Sequence, residues 1–297
     1  MLEPTSHCNL HCPMCARTIL GVESRKPTQM DISTFNAIFR KLAPYQMLIA
    51  FWNFGEPLLN EDLFEMIRVA DRKRIISAIT TNGVLLDERK ASLLVGSGLD
   101  YIAISLDAGR PETYRKYRPE GKFETVVSGI EFLSRERRRQ QRGNPFIEVT
   151  CLVMRDNEME LDILKAIAMR SGADKVSFKK VSFVKDTMAF DPSSFLPSDP
   201  RFLSSVHKKP SNKARYKSFC RIPWEHMVIN ADGTVVPCCQ DFGNLEPMGN
   251  LATDSLENIW NGENFQKIRE KILRTPHEIE LCSRWCSERD FDHGTFI

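Results

Sequence analysis

The residues of this sequence that could do chemistry are its cysteines. There are nine, and eight fall in two groups: Cys8, Cys12 and Cys15 near one end, and Cys220, Cys238, Cys239, Cys282 and Cys286 near the other, with Cys151 alone between them. The N-terminal stretch has neither a basic n-region nor an apolar h-region, so no secretory signal is read there. The thiols are therefore expected to stay reduced, and clustered reduced thiols read as metal ligands before they read as disulfides. Cys8-x3-Cys12-x2-Cys15 is one thiolate short of a closed tetrahedral zinc site. A cubane iron–sulfur cluster held by only three cysteines keeps one iron open for a further ligand. A zinc ion completed by His7 or His11 is the alternative on the same residues.

These groups need a scaffold, and the sequence alternates in a way that supplies one. Strand-like apolar runs at Met1–Pro4 (cut short), Gln46–Phe54, Ile75–Thr81, Tyr101–Leu106, Phe146–Val153 and Val176–Val184 are separated by amphipathic stretches at Ser33–Leu42, Asp62–Arg74, Glu88–Gly96, Phe123–Arg139 and Glu160–Ser171. Such alternation predicts βαβ units and a parallel sheet. Six units are fewer than the eight of a full barrel, so the fold class expected is α/β, either a partial barrel or an open doubly wound sheet. The segment around Pro192, Pro197, Pro200 and Pro210 has no sustained period and reads as a linker. After it, His226–Asn230 and Thr234–Val236 form a hairpin pattern about Asp232–Gly233. Leu256–Leu273 follows as a helical pattern with Asp254 or Ser255 as N-cap.

Composition narrows the function classes. The 297 residues are 42% hydrophobic and 27% charged, with 41 basic and 39 acidic side chains giving a net charge of +2. That is a globular chain without a general polyanion-binding surface. Arg135–Arg142 is read as a solvated helix end rather than a nucleic-acid patch. No apolar run approaches the ~20 residues of a membrane span. The expectation is a cytoplasmic protein with no nucleic-acid or membrane partner.

Three further motifs sit where strands end: Gly55-Glu56-Pro57 after the second, Thr81-Asn82-Gly83 after the third and Ser105-Leu106-Asp107 after the fourth. Singly, each is an ordinary turn sequence. Together with the first cysteine group they fall on the C-terminal ends of strands, which in parallel α/β architectures form one ligand-binding mouth. With these motifs the sequence resembles the radical S-adenosylmethionine (SAM) enzymes. Cys8, Cys12 and Cys15 match that family's C-x3-C-x-aromatic-C signature, with Met14 where an aromatic is usual. Gly55-Glu56-Pro57 is similar to its GGEP motif, with Phe54 in place of the first glycine.

The resemblance implies a partial (β/α)6 TIM-like barrel over residues 1–185, a linker at 186–217 and a cluster-binding domain at 218–297. It implies a [4Fe–4S] cluster on Cys8, Cys12 and Cys15 that binds SAM through its open iron. SAM would be cleaved reductively to a 5′-deoxyadenosyl radical, which abstracts a hydrogen atom from a C–H bond. Gly55, Glu56 and Pro57 would meet the SAM amino group through their backbone, and Asn82 and Ser105 its ribose and carboxylate, with Arg155 and Asn157 as further candidates.

The second cysteine group is similar to the SPASM domain in its shortened, one-cluster "twitch" form. The resemblance rests on Cys220-x12-Gly233-x4-Cys238, Gly249-Asn250-Leu251 and Asn258-Ile259-Trp260-Asn261-Gly262. It implies a closed auxiliary [4Fe–4S] cluster on Cys220, Cys238, Cys282 and Cys286; a zinc ribbon is the alternative. Cys239 is left as a packed thiol, a substitute ligand or a catalytic hydrogen-atom donor, and Cys151 as a buried core thiol or one facing the barrel lumen.

An auxiliary cluster favours a net oxidation, and shortened one-cluster relatives include dehydrogenases of aminocyclitols and related sugars. The resemblance therefore implies dehydrogenation of a small polar substrate such as an aminocyclitol or sugar, with a flavodoxin- or ferredoxin-type electron donor. The alternatives are an epimerase using Cys239 or Cys151 as hydrogen donor, a peptide- or protein-modifying maturase, and a zinc-stabilised binding module. The lack of a separate N-terminal domain for gripping a leader peptide weighs against the maturase. So few residues precede Thr5 that the natural start is expected upstream, or the first strand is short.

Overall fold

The computed structural model describes residues 1–19, 25–26, 28–181, 192–203 and 220–282. Five parallel strands in sequential order form the main sheet: β1 (Leu48–Phe51), β2 (Ile76–Thr81), β3 (Tyr101–Ser105), β4 (Phe146–Val153) and β5 (Lys175–Lys180). The helices α1 (Ala16–Ile19), α2 (Ile32–Leu42), α3 (Leu63–Arg72), α4 (Glu88–Gly96), α5 (Pro111–Tyr117), α6 (Phe123–Arg139) and α7 (Leu161–Arg170) precede or connect them. Asp31 and Asp87 fix two helix starts, accepting hydrogen bonds from the Thr34 and Lys90 amides, which satisfies donors that the first turn leaves free.

The two faces of the sheet differ in kind. Phe51, Ile79, Ile102 and Ile147 share one row of the register, and Phe51 meets Phe35 of α2 with ring centroids 6.0 Å apart. That face is the apolar one, packed under the helices. Side chains alternate along a strand, so the other, inner face carries Ala50, Ala78, Ala103, Ser105, Thr150 and Ser177. Small and polar residues line that face toward the strand C-termini, whereas Tyr101 and Glu148 occupy it nearer the other end.

The expected first strand, Met1–Pro4, appears only as a bridge at Leu2, parallel to both Phe51 and Ile229. Its amides complete the seam: Leu2 N–H donates to Ala50 O at 2.9 Å and Glu3 N–H to Ile229 O at 2.8 Å. Leu2 thus joins the main sheet to a second, three-stranded antiparallel sheet, β6 (Val228–Ile229), β7 (Thr234–Val236) and β8 (Gly249–Asn250). The α/β fold is therefore six-unit in outline, with the first strand reduced to its pairing residues. The sixth expected strand is β5, and its last expected residues, 182–184, lie outside the described residues.

In the C-terminal part, α8 (Ile222–Glu225) precedes the hairpin, whose turn puts Gly233 at φ +85°. The single helix expected over Leu256–Leu273 is two: α9 (Leu256–Trp260), capped by Ser255, and α10 (Glu263–Arg274). Asn261-Gly262 breaks it because Gly262 adopts an extended conformation (ψ 164°) before α10, the cap geometry that restarts a helix. Of the expected linker, only residues 192–203 are described, as two short 3-10 turns at Pro192–Phe195 and Pro200–Phe202. The basic run is solvated and paired: Arg135 with Glu88, Arg137 with Asp174 and Arg139 with Glu136.

Candidate active site at the strand C-termini

The first cysteine group lies on a loop held from three sides. Cys8, Cys12 and Cys15 are half-buried free thiols, and Cys15 N–H closes a turn onto Cys12 O at 3.0 Å before α1 begins. Glu56 N–H donates to His7 O at 2.7 Å. On the far side, His11 N–H donates to Glu120 Oε2 at 3.1 Å, and His11 Nδ1 lies 3.4 Å from Glu120 Oε1. His11 is thereby drawn toward a carboxylate.

Gly55 has to be glycine. A Cβ there would sit 2.1 Å from Thr5 O and 2.5 Å from His7 O, so the Gly-Glu-Pro backbone lies directly on the backbone of the cysteine loop. The Glu56 side chain then turns inward and is fully buried. Its Oε1 accepts from Thr81 Oγ1 at 2.6 Å and Leu58 N–H at 3.1 Å, and its Oε2 from Asn82 N–H at 2.7 Å. Burial pushes the Glu56 carboxyl up, and these three donors oppose it. Asn82 Nδ2 in turn donates to Asn9 Oδ1 at 2.9 Å and lies 3.9 Å from Cys8 Sγ. Two turn motifs far apart in sequence are thus one hydrogen-bonded assembly around the thiols. Ser105 is half-buried beside Thr150 on the inner face.

A buried ion pair that the sequence reading did not single out stands beside them. Arg118 donates through Nε to Asp107 Oδ2 at 2.8 Å, with Nη2 at 2.6 Å from the same oxygen. Burial works against the Arg118 charge, but Asp107 outweighs it and holds the guanidinium ionised. Burial pushes the Cys12 thiol up to about 11, against the pull of Arg118. The readable signal was Pro111, which opens the missed helix α5 and so brings Arg118, just past its end, back to the mouth. Tyr114 on α5 is fully buried with its hydroxyl unpartnered.

Other candidates fall elsewhere. Cys151 is fully buried on the helix-packed side of β4, in one row with Ile147 and Val149, away from the lumen. Asn157 is fully buried, and its side chain bonds the backbone of Asp107, Leu152 and Met154, which makes it a clamp between strand ends. Arg155 reaches Leu196 O and Ser193 O.

In the C-terminal group, Cys220, Cys238 and Cys282 each pack at the margin of the core, while Cys286 lies outside the described residues. Cys238 Sγ accepts from Gln240 N–H at 3.4 Å. A hydrogen bond with Cys239, reinforced by burial, raises the Cys238 thiol.

The donor chemistry of the first cysteine group fits an iron–sulfur cluster, and of the second group Cys220, Cys238 and Cys282 are described. Three half-buried thiols influence one another's ionisation on one short loop, and amide groups crowd that loop from neighbouring strands, as thiolate ligands of a cluster require.

The comparisons with known proteins agree. Residues 2–167 match the radical SAM superfamily, and residues 220–287 match the SPASM iron–sulfur cluster-binding domain. A PqqA peptide cyclase of Gluconobacter oxydans is 27% identical over 311 residues, spanning 98% of this chain and 83% of that protein. Among solved structures, BtrN in complex with AdoMet and 2-DOIA is similar with a TM-score of 0.54 and 20% identity, covering 91% of this chain and 85% of BtrN. Streptococcus suis SuiB bound to SAM is similar with a TM-score of 0.68 and 15% identity, covering 90% of this chain and 66% of SuiB. At those identities the likeness is one of fold. The two matched domains bring with them SAM and [4Fe–4S] clusters as cofactors. With a profile match over more than half its length, this chain belongs to the radical SAM superfamily.

Proposed function

We propose that this radical SAM enzyme modifies a side chain of a peptide or protein. The observation that carries the reading is the match, over 98% of the chain, to a relative named PqqA peptide cyclase. The SuiB fold, solved with precursor peptide SuiA, supports it. This places the maturase alternative ahead of the aminocyclitol dehydrogenase that the auxiliary cluster first suggested.

In this reading Cys8, Cys12 and Cys15 hold the SAM-binding cluster, and Cys220, Cys238, Cys282 and Cys286 the auxiliary one. When bound, SAM and its cluster supply a carbon radical able to take a hydrogen atom from a substrate C–H bond. The protein's part is positioning. The carbonyls of Glu56 and Pro57 are used by Leu59 and Asn60 N–H groups at 3.1 and 3.0 Å, so the Gly55 carbonyl is the acceptor assigned to the SAM ammonium. Asn82 and Ser105 face the same mouth for the ribose and carboxylate. Ala78, Ala103 and Thr150 keep the inner face low, which leaves room for a side chain to approach. A flavodoxin- or ferredoxin-type donor would deliver the electron.

The test is anaerobic turnover of the reconstituted protein with SAM and reductant against a peptide panel and, separately, aminocyclitols. Peptide-dependent formation of 5′-deoxyadenosine with a mass change in the peptide supports the reading. Aminocyclitol-dependent formation with loss of two hydrogens from the cyclitol, and none with peptides, restores the dehydrogenase.

A further inference from the structure

Phe54 occupies the position where the family's motif has glycine, and its ring packs against Phe242. It is 8% exposed, and its centroid lies 5.9 Å from that of Phe242, the planes tilted by 37°. The Arg25 guanidinium covers Phe54 at 4.9 Å from the ring centroid. Underneath is Glu3, 1% exposed. Its Oε2 accepts from Arg25 Nη2 at 2.7 Å, from Asn53 Nδ2 at 3.2 Å and from Phe54 N–H at 3.2 Å, and its Oε1 from Ala231 N–H at 3.3 Å. Asn53 Nδ2 also reaches Asn230 Oδ1 at 3.2 Å. One carboxylate therefore fixes Phe54 to both sheets.

The backbone of Phe242 belongs to a cysteine-bearing turn, and that of Phe54 leads into the residue that abuts the other cysteine loop. Phe242 ends the turn that Cys238 opens: Gln240 N–H donates to Cys238 Sγ at 3.4 Å, Asp241 N–H to Cys238 O at 3.1 Å and Phe242 N–H to Gln240 O at 2.9 Å. Phe54 is followed by Gly55, whose α-carbon is wedged against the Thr5 and His7 carbonyls. That wedge has no slack, so a displacement of Phe54 cannot be absorbed before it reaches the Cys8 loop. Packed interiors transmit such shifts instead of damping them.

We propose that Phe54 and Phe242 are positioning residues that lock the SAM-binding segment Gly55–Pro57 to the auxiliary-cluster turn, so that occupancy of either site alters the other. The proposal rests on the assignment of those two segments and not on the peptide reading, because its test contains no peptide. Binding couplings of this kind are reciprocal, with a typical range of about 5- to 150-fold.

SAM dissociation constants and the EPR signal of the reduced auxiliary cluster are measured on anaerobically reconstituted wild type, Phe54→Leu, Phe242→Leu, the double variant and Phe242→Tyr, all at matched iron content. The expected result has four parts. The auxiliary signal of wild type changes on adding SAM. Phe242→Leu, distant in sequence from the SAM segment, weakens SAM binding by about fivefold or more and silences that response. The double variant is no weaker than the singles, because both remove one contact, and Phe242→Tyr, which keeps the ring, behaves as wild type. Wild-type SAM affinity in Phe242→Leu, an auxiliary signal in wild type indifferent to SAM, or strictly additive losses in the double variant would each overturn the proposal. If Phe242→Leu loads too little iron, the comparison of Phe54→Leu with Phe242→Tyr decides it in the same terms.

Discussion

The Thr81 hydroxyl donates to Glu56 Oε1 at 2.6 Å in a fully buried pocket, which ties the turn after β2 to the turn after β1. The carboxylate satisfies three donors at once, so its loss strands all of them.

Glu56→Gln should therefore cost more than a surface change. The amide end of glutamine confronts a backbone N–H that expects an acceptor, and a stranded buried donor costs about 1–3 kcal/mol. Denaturant unfolding should show that loss, with weaker SAM binding alongside. Unchanged unfolding and binding would show that the assembly around Asn82 stands without Glu56.

Gly55→Ala places a methyl group 2.1 Å from Thr5 O, and backbone cannot yield as a flexible side chain does. Overpacking of this sort costs about 1–3 kcal/mol. The motif should lift off the cysteine loop, and equilibrium dialysis should find SAM binding lost while the C-terminal cluster still loads.

The Cys12 thiol, pushed up to about 11 by burial, is protonated at neutral pH before any cluster is built. Ligation needs the thiolate, so cluster assembly releases protons. The sign follows: raising the pH toward 11 favours loading and lowering it opposes loading. Iron bound after a fixed reconstitution time should rise from pH 7 to pH 9 in wild type. A Cys8/Cys12/Cys15 triple Ala variant should lose only the N-terminal cluster's share of that rise, because the Cys238 thiol is raised too and leaves the C-terminal cluster with a pH dependence of the same sign.

The proposed reading makes Cys238 a ligand of the auxiliary cluster and leaves its neighbour Cys239 out of it. Cys238→Ala should lower bound iron by about four per chain, one cubane, whereas Cys239→Ala should keep about eight. Iron and sulfide analysis reads this directly. Full loading of Cys238→Ala with loss in Cys239→Ala would exchange the two assignments.

Asn157→Ala should destabilise without touching SAM affinity. Its amide donates to Asp107 O and Leu152 O, both at 2.8 Å, and accepts from Met154 N–H at 2.7 Å. A loss of about 1–3 kcal/mol in a denaturant melt is expected.

The parallel sheet and helices α4 and α6 were legible because strand length, apolar runs and helical periodicity are local properties. The cysteine loop and the three strand-end motifs were legible because their chemistry is confined to a few adjacent residues. Glu56 was visible but its direction was not: the sequence places it in a cofactor-binding motif, while only the fold shows its side chain turned back onto Thr81. Arg118 escaped because its partner Asp107 is a tertiary neighbour across a helix that is only seven residues long (Pro111–Tyr117). Phe54 registered as a departure from a motif; the ring that explains it, Phe242, lies in the turn between β7 and β8.

The bridge at Leu2 has a kinetic consequence. Residue 2 pairs with residues 51 and 229, so the sheet edge beyond Leu2 is not covered until synthesis has passed residue 229. Contacts of such long sequence separation slow folding, and an unpaired edge exposed meanwhile invites association with other chains. Variants that weaken the pairing of Ile229 should therefore lower soluble yield more than they lower the stability of the finished molecule.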